Sequence, residues 1–325
     1  MRIEYLKEKE LNKINSLLLD YKFNNYRNYR IFNNEQRLKS LFGEISDSLK
    51  EDAYIVVARN KDEIIGLISL TKLFWDTAHF GLKMAKIGYL IAKGSYYDSI
   101  TTKNELLSFI LRLCKKEEIK HLSCKADTSD YSTAHCLEEK GFKLMDTTVT
   151  YIYTQKHSIP DLKNLYHIRK FKKNDLSSLI IIAKENFWIN RFYIDPHIPK
   201  NRTAQLYIEW VKNCCKGELA DEVLIAEKKG KVVGFFTYKL DERLKRFMGV
   251  KCAGRGIAAV SPEAKGAYVS LLKAAIERGE LITKLDLGEF ETQVWNYPVI
   301  KIFQRFGMNY VNSKHAFHKW IGSPK

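Results

Sequence analysis

The stretch Val260-Ser-Pro-Glu-Ala-Lys265-Gly266-Ala267-Tyr268-Val-Ser270 runs from an apolar strand end, through one glycine, into an amphipathic helix. A helix N-terminus presents unpaired N–H groups and the positive end of the peptide dipoles, so such a turn can seat a phosphate. An ordinary strand-to-helix connection has the same appearance, because one glycine does not separate the two readings. The helix is expected over residues 261–278, with Ser261 as N-cap, Pro262 as first residue and Gly279 just past its end.

Other residues could meet an anionic or ring-shaped ligand. Arg191 and Arg202 offer planar forks suited to a diphosphate, and serve equally well in surface ion pairs. Tyr193 falls in an apparently irregular segment where a sugar or base could stack. Tyr207 and Trp210 are three apart and share a helical face, with Trp210 reading as core. The eight histidines show no metal-ligand spacing, and no metal site is expected. Six cysteines include the adjacent Cys214-Cys215 but no CxxC, which fits a reducing cytoplasm better than a disulfide framework.

A chain of 325 residues suggests about two domains. Its 45% hydrophobic and 28% charged residues describe a globular protein, and the formal charge of +16 favours an anionic partner or reflects generic basicity. The opening MRIEYLKEKELNK lacks the apolar core of a secretory signal, and the run from Leu176 to Ala183 is too short to cross a bilayer. No membrane insertion is expected.

The elements that must hold these residues come in two copies. YIVVARNKDEIIGLISL (54–70) and VLIAEKKGKVVGFFTYK (223–239) each read as a β-hairpin, with Gly66 and Gly234 lying 168 positions apart. HLSCKADTSDYSTAHCLEEKGF (121–142) and DLGEFETQVWNYPVIKIFQRFGM (286–308) each read as strand, break and short helix, with Gly141 and Gly307 lying 166 apart. The order implies tandem α/β units, each a mixed sheet flanked by helices. The polar, proline-containing QKHSIPDLKN (155–164) marks the joint, giving domains 1–157 and 158–325.

This pattern resembles the GNAT superfamily of acyl-CoA-dependent N-acetyltransferases. Val260-Ser261-Pro262 matches a strand carrying V-x-P, and Lys265-Gly266 the start of its basic, glycine-rich pyrophosphate turn. Asn296 through Gly307-Met308 follows the helix that lies beside pantetheine. Arg191, Phe192, Asp195, Leu206, Tyr207 and Trp210, with Thr292-Gln293 and Asn296, resemble signatures of tandem enzymes that acetylate nucleotide-linked amino sugars, the dTDP-fucosamine type among them. WDTAHFGLKMAKI (75–87) resembles a first-half segment of the same relatives.

The resemblance implies acetyl-CoA as co-substrate, held by Ala259, Val260, Lys265, Gly266, Ala267, Tyr268, Ser270, Asn296 and Phe303. Asn296 carries the catalytic assignment. Arg191, Tyr193, Arg202, Tyr207 and Gln293 form the substrate side. Two departures stand out. Tyr268 occupies the place of the turn's second glycine, which requires its side chain to point away from the phosphate, and Phe303 replaces the tyrosine that protonates the thiolate. The first half has Lys93-Gly94 but no V-x-P, so it is expected to be a degenerate, non-catalytic copy.

The implied activity is transfer of an acetyl group from acetyl-CoA to the amine of a dTDP-4-amino-dideoxyhexose-type sugar, in the cytoplasm. Alternatives are a tRNA-dependent aminoacyl transferase of the Fem type, and a non-catalytic acyl-CoA or nucleotide-sugar binding protein. The absence of a concentrated basic arm argues against nucleic acid, and a homodimer is left open.

Overall fold

The computed structural model describes residues 1–50, 53–154, 159–160, 165–187, 190–280 and 284–322. The elements, in chain order, begin with β1 (Arg2–Tyr5), α1 (Asn15–Leu19), α2 (Asn34–Lys50), β2 (Ala53–Asn60) and β3 (Glu63–Lys72). Next come α3 (Phe74–Phe80), β4 (Met84–Ala92), α4 (Tyr96–Lys116), β5 (His121–Asp127), α5 (Tyr131–Glu139) and β6 (Lys143–Thr154). The second half opens with β7 (His167–Lys170), α6 (Leu176–Asn186), α7 (Arg191–Ile194), α8 (Lys200–Cys215), β8 (Glu222–Lys228) and β9 (Lys231–Leu240). It ends with α9 (Glu242–Met248), β10 (Cys252–Gly254), β11 (Ala258–Val260), α10 (Ala267–Arg278), β12 (Leu287–Gln293), α11 (Tyr297–Arg305) and β13 (Asn309–Trp320).

The chain forms two compact units, Met1–Thr147 with Asn312–Lys325, and Thr148–Val311. The joint expected between residues 157 and 158 lies outside the described residues. Both expected hairpins are present, β2 with β3 and β8 with β9. The tip of the second is a two-residue turn with positive φ at Lys229 (51°) and Gly230 (76°), the twist a tight hairpin needs.

In the first unit β1, β2, β3 and β4 pair antiparallel in that order, and β4 pairs parallel with β5. The far side of β5 is completed by residues 314–320 of β13. The second unit repeats this plan: β7, β8 and β9 are antiparallel, and β9 pairs with β10 and β11. β10 then pairs parallel with β12, whose far side is completed by residues 148–154 of β6. Each sheet is therefore closed by a strand from the opposite half of the sequence.

Both sheets are covered on two faces, as an α/β fold with mixed pairing requires. In the first unit α4 and α5 bury Leu106, Leu107, Ile110 and Leu137 on one face, and α1 and α2 bury Leu17, Leu41 and Ile45 on the other. In the second, α10 and α11 bury Leu271, Leu272 and Phe303 on one face. There α6 and α8 bury Leu179, Val211 and Cys214 on the opposite face. The alternation of a strand assigns Phe235 and Ala259 to the α6/α8 face, and Phe236 and Val260 to the α10/α11 face.

Candidate functional site

In the second unit the parallel ladder is short. β10 meets β12 at Cys252↔Leu287 and Ala253↔Gly288, after which the chain bends into β11, which pairs with β9 alone. The bend depends on Gly256: a side chain there would lie 1.6 Å from the Thr237 carbonyl oxygen. β12 continues along β6 to Gln293, so β11 and the end of β12 diverge with no ladder between them among the described residues. The Ser261 N–H donates to the Val233 carbonyl on β9 (2.8 Å). Since N–H direction alternates along a strand, the Val260 N–H points away from β9, into the divergence.

Beyond β11, Ala264 N–H donates to Ser261 O (2.9 Å) and Ala267 N–H to Ala264 O (3.0 Å), two successive turns that lead into α10. The helix thus begins at Ala267 rather than at Ser261. Ser261 is still engaged in strand pairing and cannot cap a helix, and Pro262 lies in the turn. The N-cap is Gly266, left-handed at φ 84°, and no side-chain oxygen caps the first turn. Any L-residue would be strained there, and its Cβ would press on Leu165 at 3.2 Å. Gly279 is the C-cap, in right-handed geometry.

Lys265 is exposed, makes no ion pair among the described residues, and its carbonyl accepts the Tyr166 hydroxyl at 2.8 Å. Ala267 and Ser270 are buried beneath the turn, with Ser270 Oγ donating back to Gly266 O (3.4 Å). Their side chains serve packing, leaving backbone groups and Lys265 for an anion.

Tyr268 stands in the first turn of α10. It is half-buried, its ring lies 6.4 Å from that of Phe236, and burial raises its hydroxyl above the usual phenol range. Phe303 is 1% exposed, with rings of Tyr151 at 5.4 Å and Phe290 at 5.7 Å. Asn296 stands at the N-cap position of α11 without bonding its N–H groups; its Nδ2 donates to Thr292 Oγ1 (2.9 Å) and its own N–H to Gln293 O (3.0 Å). Gln293, half-buried at the end of β12, lies opposite Thr148.

The other substrate-side candidates lie on α7 and α8. Arg191 and Tyr193 belong to α7, a single turn whose N–H groups at Phe192 (2.9 Å) and Tyr193 (3.1 Å) donate to Asn190 Oδ1. Tyr193 is therefore helical, not irregular as the sequence suggests, because Asn190 supplies a cap. Arg191 stacks over Phe192 (4.2 Å), and Lys200 Nζ sits 4.8 Å from the Tyr193 ring centre. Arg202 is exposed in the first turn of α8. Tyr207 stacks with Phe187 (4.5 Å, 11°) and with Trp210 (6.0 Å, 8°). Val260, Ala267, Tyr268 and Phe303 thus share the α10/α11 core, whereas Trp210, beside Tyr207, packs into the α6/α8 core.

The first unit fills the corresponding places with its own side chains. Ser95 caps α4 in a capping box with Asp98, whose carboxyl is held below the usual range by the Ser95 side chain and backbone. Lys93 bonds Glu63 (2.8 Å) and faces Asp20 (3.6 Å). At the α5 N-cap, Asp130 receives Lys103 Nζ (3.0 Å), with both residues under 5% exposed, and Ser132 Oγ is 2.7 Å from the same nitrogen. The Ser-x-x-Asp spacing at 95–98 signals the α4 cap, whereas nothing in the sequence signals the Lys103–Asp130 pair.

Comparison with known proteins agrees with this architecture. No protein-family model matches the chain. It is 19% identical over 259 residues to the spore coat polysaccharide biosynthesis protein SpsD of Bacillus subtilis, covering 79% of this chain and 84% of that one. A tandem GNAT protein from the clavulanic acid biosynthesis pathway superimposes with a TM-score of 0.56 at 13% identity, covering 100% of this chain and 99% of that one. A GCN5-related glucosamine N-acetyltransferase region within a fungal multi-domain β-N-acetylglucosaminidase gives a TM-score of 0.63 at 12% identity over 98% of this chain. The chain spans only 38% of that fungal protein. The fold is a tandem pair of GNAT units. No helix among the described residues is long and apolar enough to cross a membrane.

Proposed function

We propose that this tandem GNAT-fold chain is an acyl-CoA-dependent N-acetyltransferase that carries an acetyl group from acetyl-CoA to the amine of a nucleotide-linked amino sugar in the cytoplasm. The second unit is the catalytic one and the first a non-catalytic copy. The observation that carries the reading is the α10 turn, with left-handed Gly266, no side-chain cap and no ion pair on Lys265 among the described residues, set at the end of a strand that diverges from its parallel neighbour. Carboxyl ends of parallel strands and helix N-termini are where such folds hold phosphorylated ligands.

Within that site, backbone N–H groups of the α10 turn and Lys265 would hold the pyrophosphate, and the Val260 N–H would polarise the thioester carbonyl. Holding amine and thioester together supplies on the order of 7–11 kcal/mol of the barrier in well-oriented cases. Arg191, Tyr193, Arg202, Tyr207 and Gln293 are assigned to the sugar nucleotide, and Asn296 to orienting the reactants through the turn it makes with Thr292. The name of the SpsD relative, a polysaccharide biosynthesis protein, supports a sugar-linked acceptor. Packing of Phe303 into the core favours a second reading, an acyl-CoA or nucleotide-sugar binding protein without turnover.

The test is release of free thiol when purified protein meets acetyl-CoA and a panel of amino-sugar nucleotides. Turnover with one of them is expected. Calorimetric binding of CoA without turnover across the panel would favour the binding-protein reading, and binding of neither CoA nor any sugar nucleotide would remove both.

A further inference from the structure

Five non-glycine residues among the described ones take a positive φ. Lys61 and Lys229 sit at the two hairpin tips, Glu118 follows α4, and Lys284 lies between α10 and β12. Arg255 (φ 56°) is different, because it stands between β10 and β11, on the path of a sheet strand. A bulky side chain in the left-handed region is strained, and here glycine stands on either side of it, at Gly254 and Gly256. The strain cannot relax: Thr237 Oγ1 accepts the Ile257 N–H (2.8 Å), and the Thr237 N–H donates to the Ile257 carbonyl (2.9 Å). Cys252, Ala253 and Ala259 on the flanking strands are buried, whereas Arg255 and Gly256 are exposed. The sheet thus opens at its bend, the point at which β11 parts from β12.

The guanidinium has a fixed direction. Its Nη2 lies 2.6 Å from Asp241 Oδ2, while Asp241 Oδ1 accepts the Arg243 and Leu244 N–H groups (both 3.0 Å) at the start of α9. On β9 the Thr237 hydroxyl lies 4.0 Å from Cys214 Sγ of α8, and alternation carries Lys239 and Asp241 to that same face. Arg255 therefore reaches the α8 side of the sheet, which Tyr207 and Trp210 share, and turns away from α10. Asp241 takes one edge of the fork; the side chain is 62% exposed, and the rest of the fork meets no other partner among the described residues. An exposed ion pair adds little stability, so it does not account for a strained arginine at this place. We propose that Arg255 determines specificity for the acceptor by pairing its outward edge with a phosphate of the nucleoside diphosphate, a role that rests on the sugar-nucleotide reading above. A guanidinium oriented by a carboxylate presents parallel N–H groups, the geometry that a pair of phosphate oxygens accepts. With the amine at the bend, the length of the arginine side chain spans the one sugar ring that separates amine from diphosphate.

The experiment titrates the full chain with dTDP and, separately, with CoA by calorimetry. The wild-type chain is expected to bind both. Arg255→Gly fits the left-handed backbone, so its melting temperature should not fall, yet its dTDP affinity should drop about tenfold. Its CoA affinity should change less than about twofold. Arg255→Lys keeps the charge without the fork and should restore only part of the dTDP affinity. Unchanged dTDP affinity in Arg255→Gly would overturn the role. So would a lowered melting temperature with equal losses for dTDP and CoA, the signature of a structural tie between the bend and α9. Failure of the wild-type chain to bind dTDP would instead overturn the sugar-nucleotide reading and this role with it.

Discussion

Helices α4 and α10 follow equivalent strands in the two units, yet their N-termini are opposites. At α4 a serine and an aspartate close the first turn, and the neighbouring lysine is engaged by Glu63 and Asp20. At α10 a left-handed glycine starts the helix, no side chain caps it, and Lys265 has no carboxylate partner among the described residues. The next helix repeats the contrast: Asp130 of the first unit is tied to a buried lysine, while Asn296 of the second bonds, among the described residues, Thr292 and the chain beside it. One unit satisfies its own dipoles and charges. The other, among the described residues, shows neither closure at the start of α10.

The sharpest test of this contrast is Lys103→Met. It leaves the Asp130 carboxylate buried without its cation, and the expected loss is about 3–5 kcal/mol in chemical denaturation. The double variant Lys103→Met/Asp130→Leu should recover part of it, short of the α5 cap that Asp130 supplies; no recovery would mean that the loss does not come from an orphaned carboxylate. Next in size is a charge reversal made in each unit. Lys265→Glu should weaken CoA binding about tenfold by calorimetry, equal to about 1.4 kcal/mol, whereas Lys93→Glu should leave it unchanged. Equal effects would erase the distinction between the units.

Removing a cap is milder. Ser95→Ala should cost about 1 kcal/mol of stability without altering CoA affinity. The smallest effect is that of acid. The Asp98 pKa is lowered in the fold by its bonds to Ser95, so its contribution is fully present above the unfolded carboxylate value. It is lost as pH falls through the lowered folded value, below about pH 4. Amide exchange in the first turn of α4 should accelerate there, while the first turn of α10, which has no such carboxylate, should show no matching step.

Much of the fold is legible along the chain. Alternating apolar runs around Gly66 and Gly234 mark both hairpins, and the matched spacing to Gly141 and Gly307 marks the duplication. The start of α10 is not legible, because Ser261-Pro262 imitates an N-cap signal. What overrides it is a tertiary bond, the Ser261 N–H on β9. The Lys103–Asp130 pair also escapes reading, since it joins residues 27 apart on different elements. His121 and His318 carry no spacing signal, yet the register of β5 against β13 brings their rings within 4.4 Å. The Phe303 departure is legible by position, but its closure between Phe290 and Tyr151 is not. Tyr268 is half-buried near Phe236, a side-chain placement that neither its type nor its spacing announces.

The closing strands carry a consequence for how the molecule is made. The first unit cannot complete its sheet until residues 314–320 have left the ribosome, although residues 1–127 emerge long before. Its folding therefore waits on contacts nearly two hundred positions apart in sequence, the kind of long-range pairing that slows folding and leaves the exposed edge of β5 open to mispairing meanwhile.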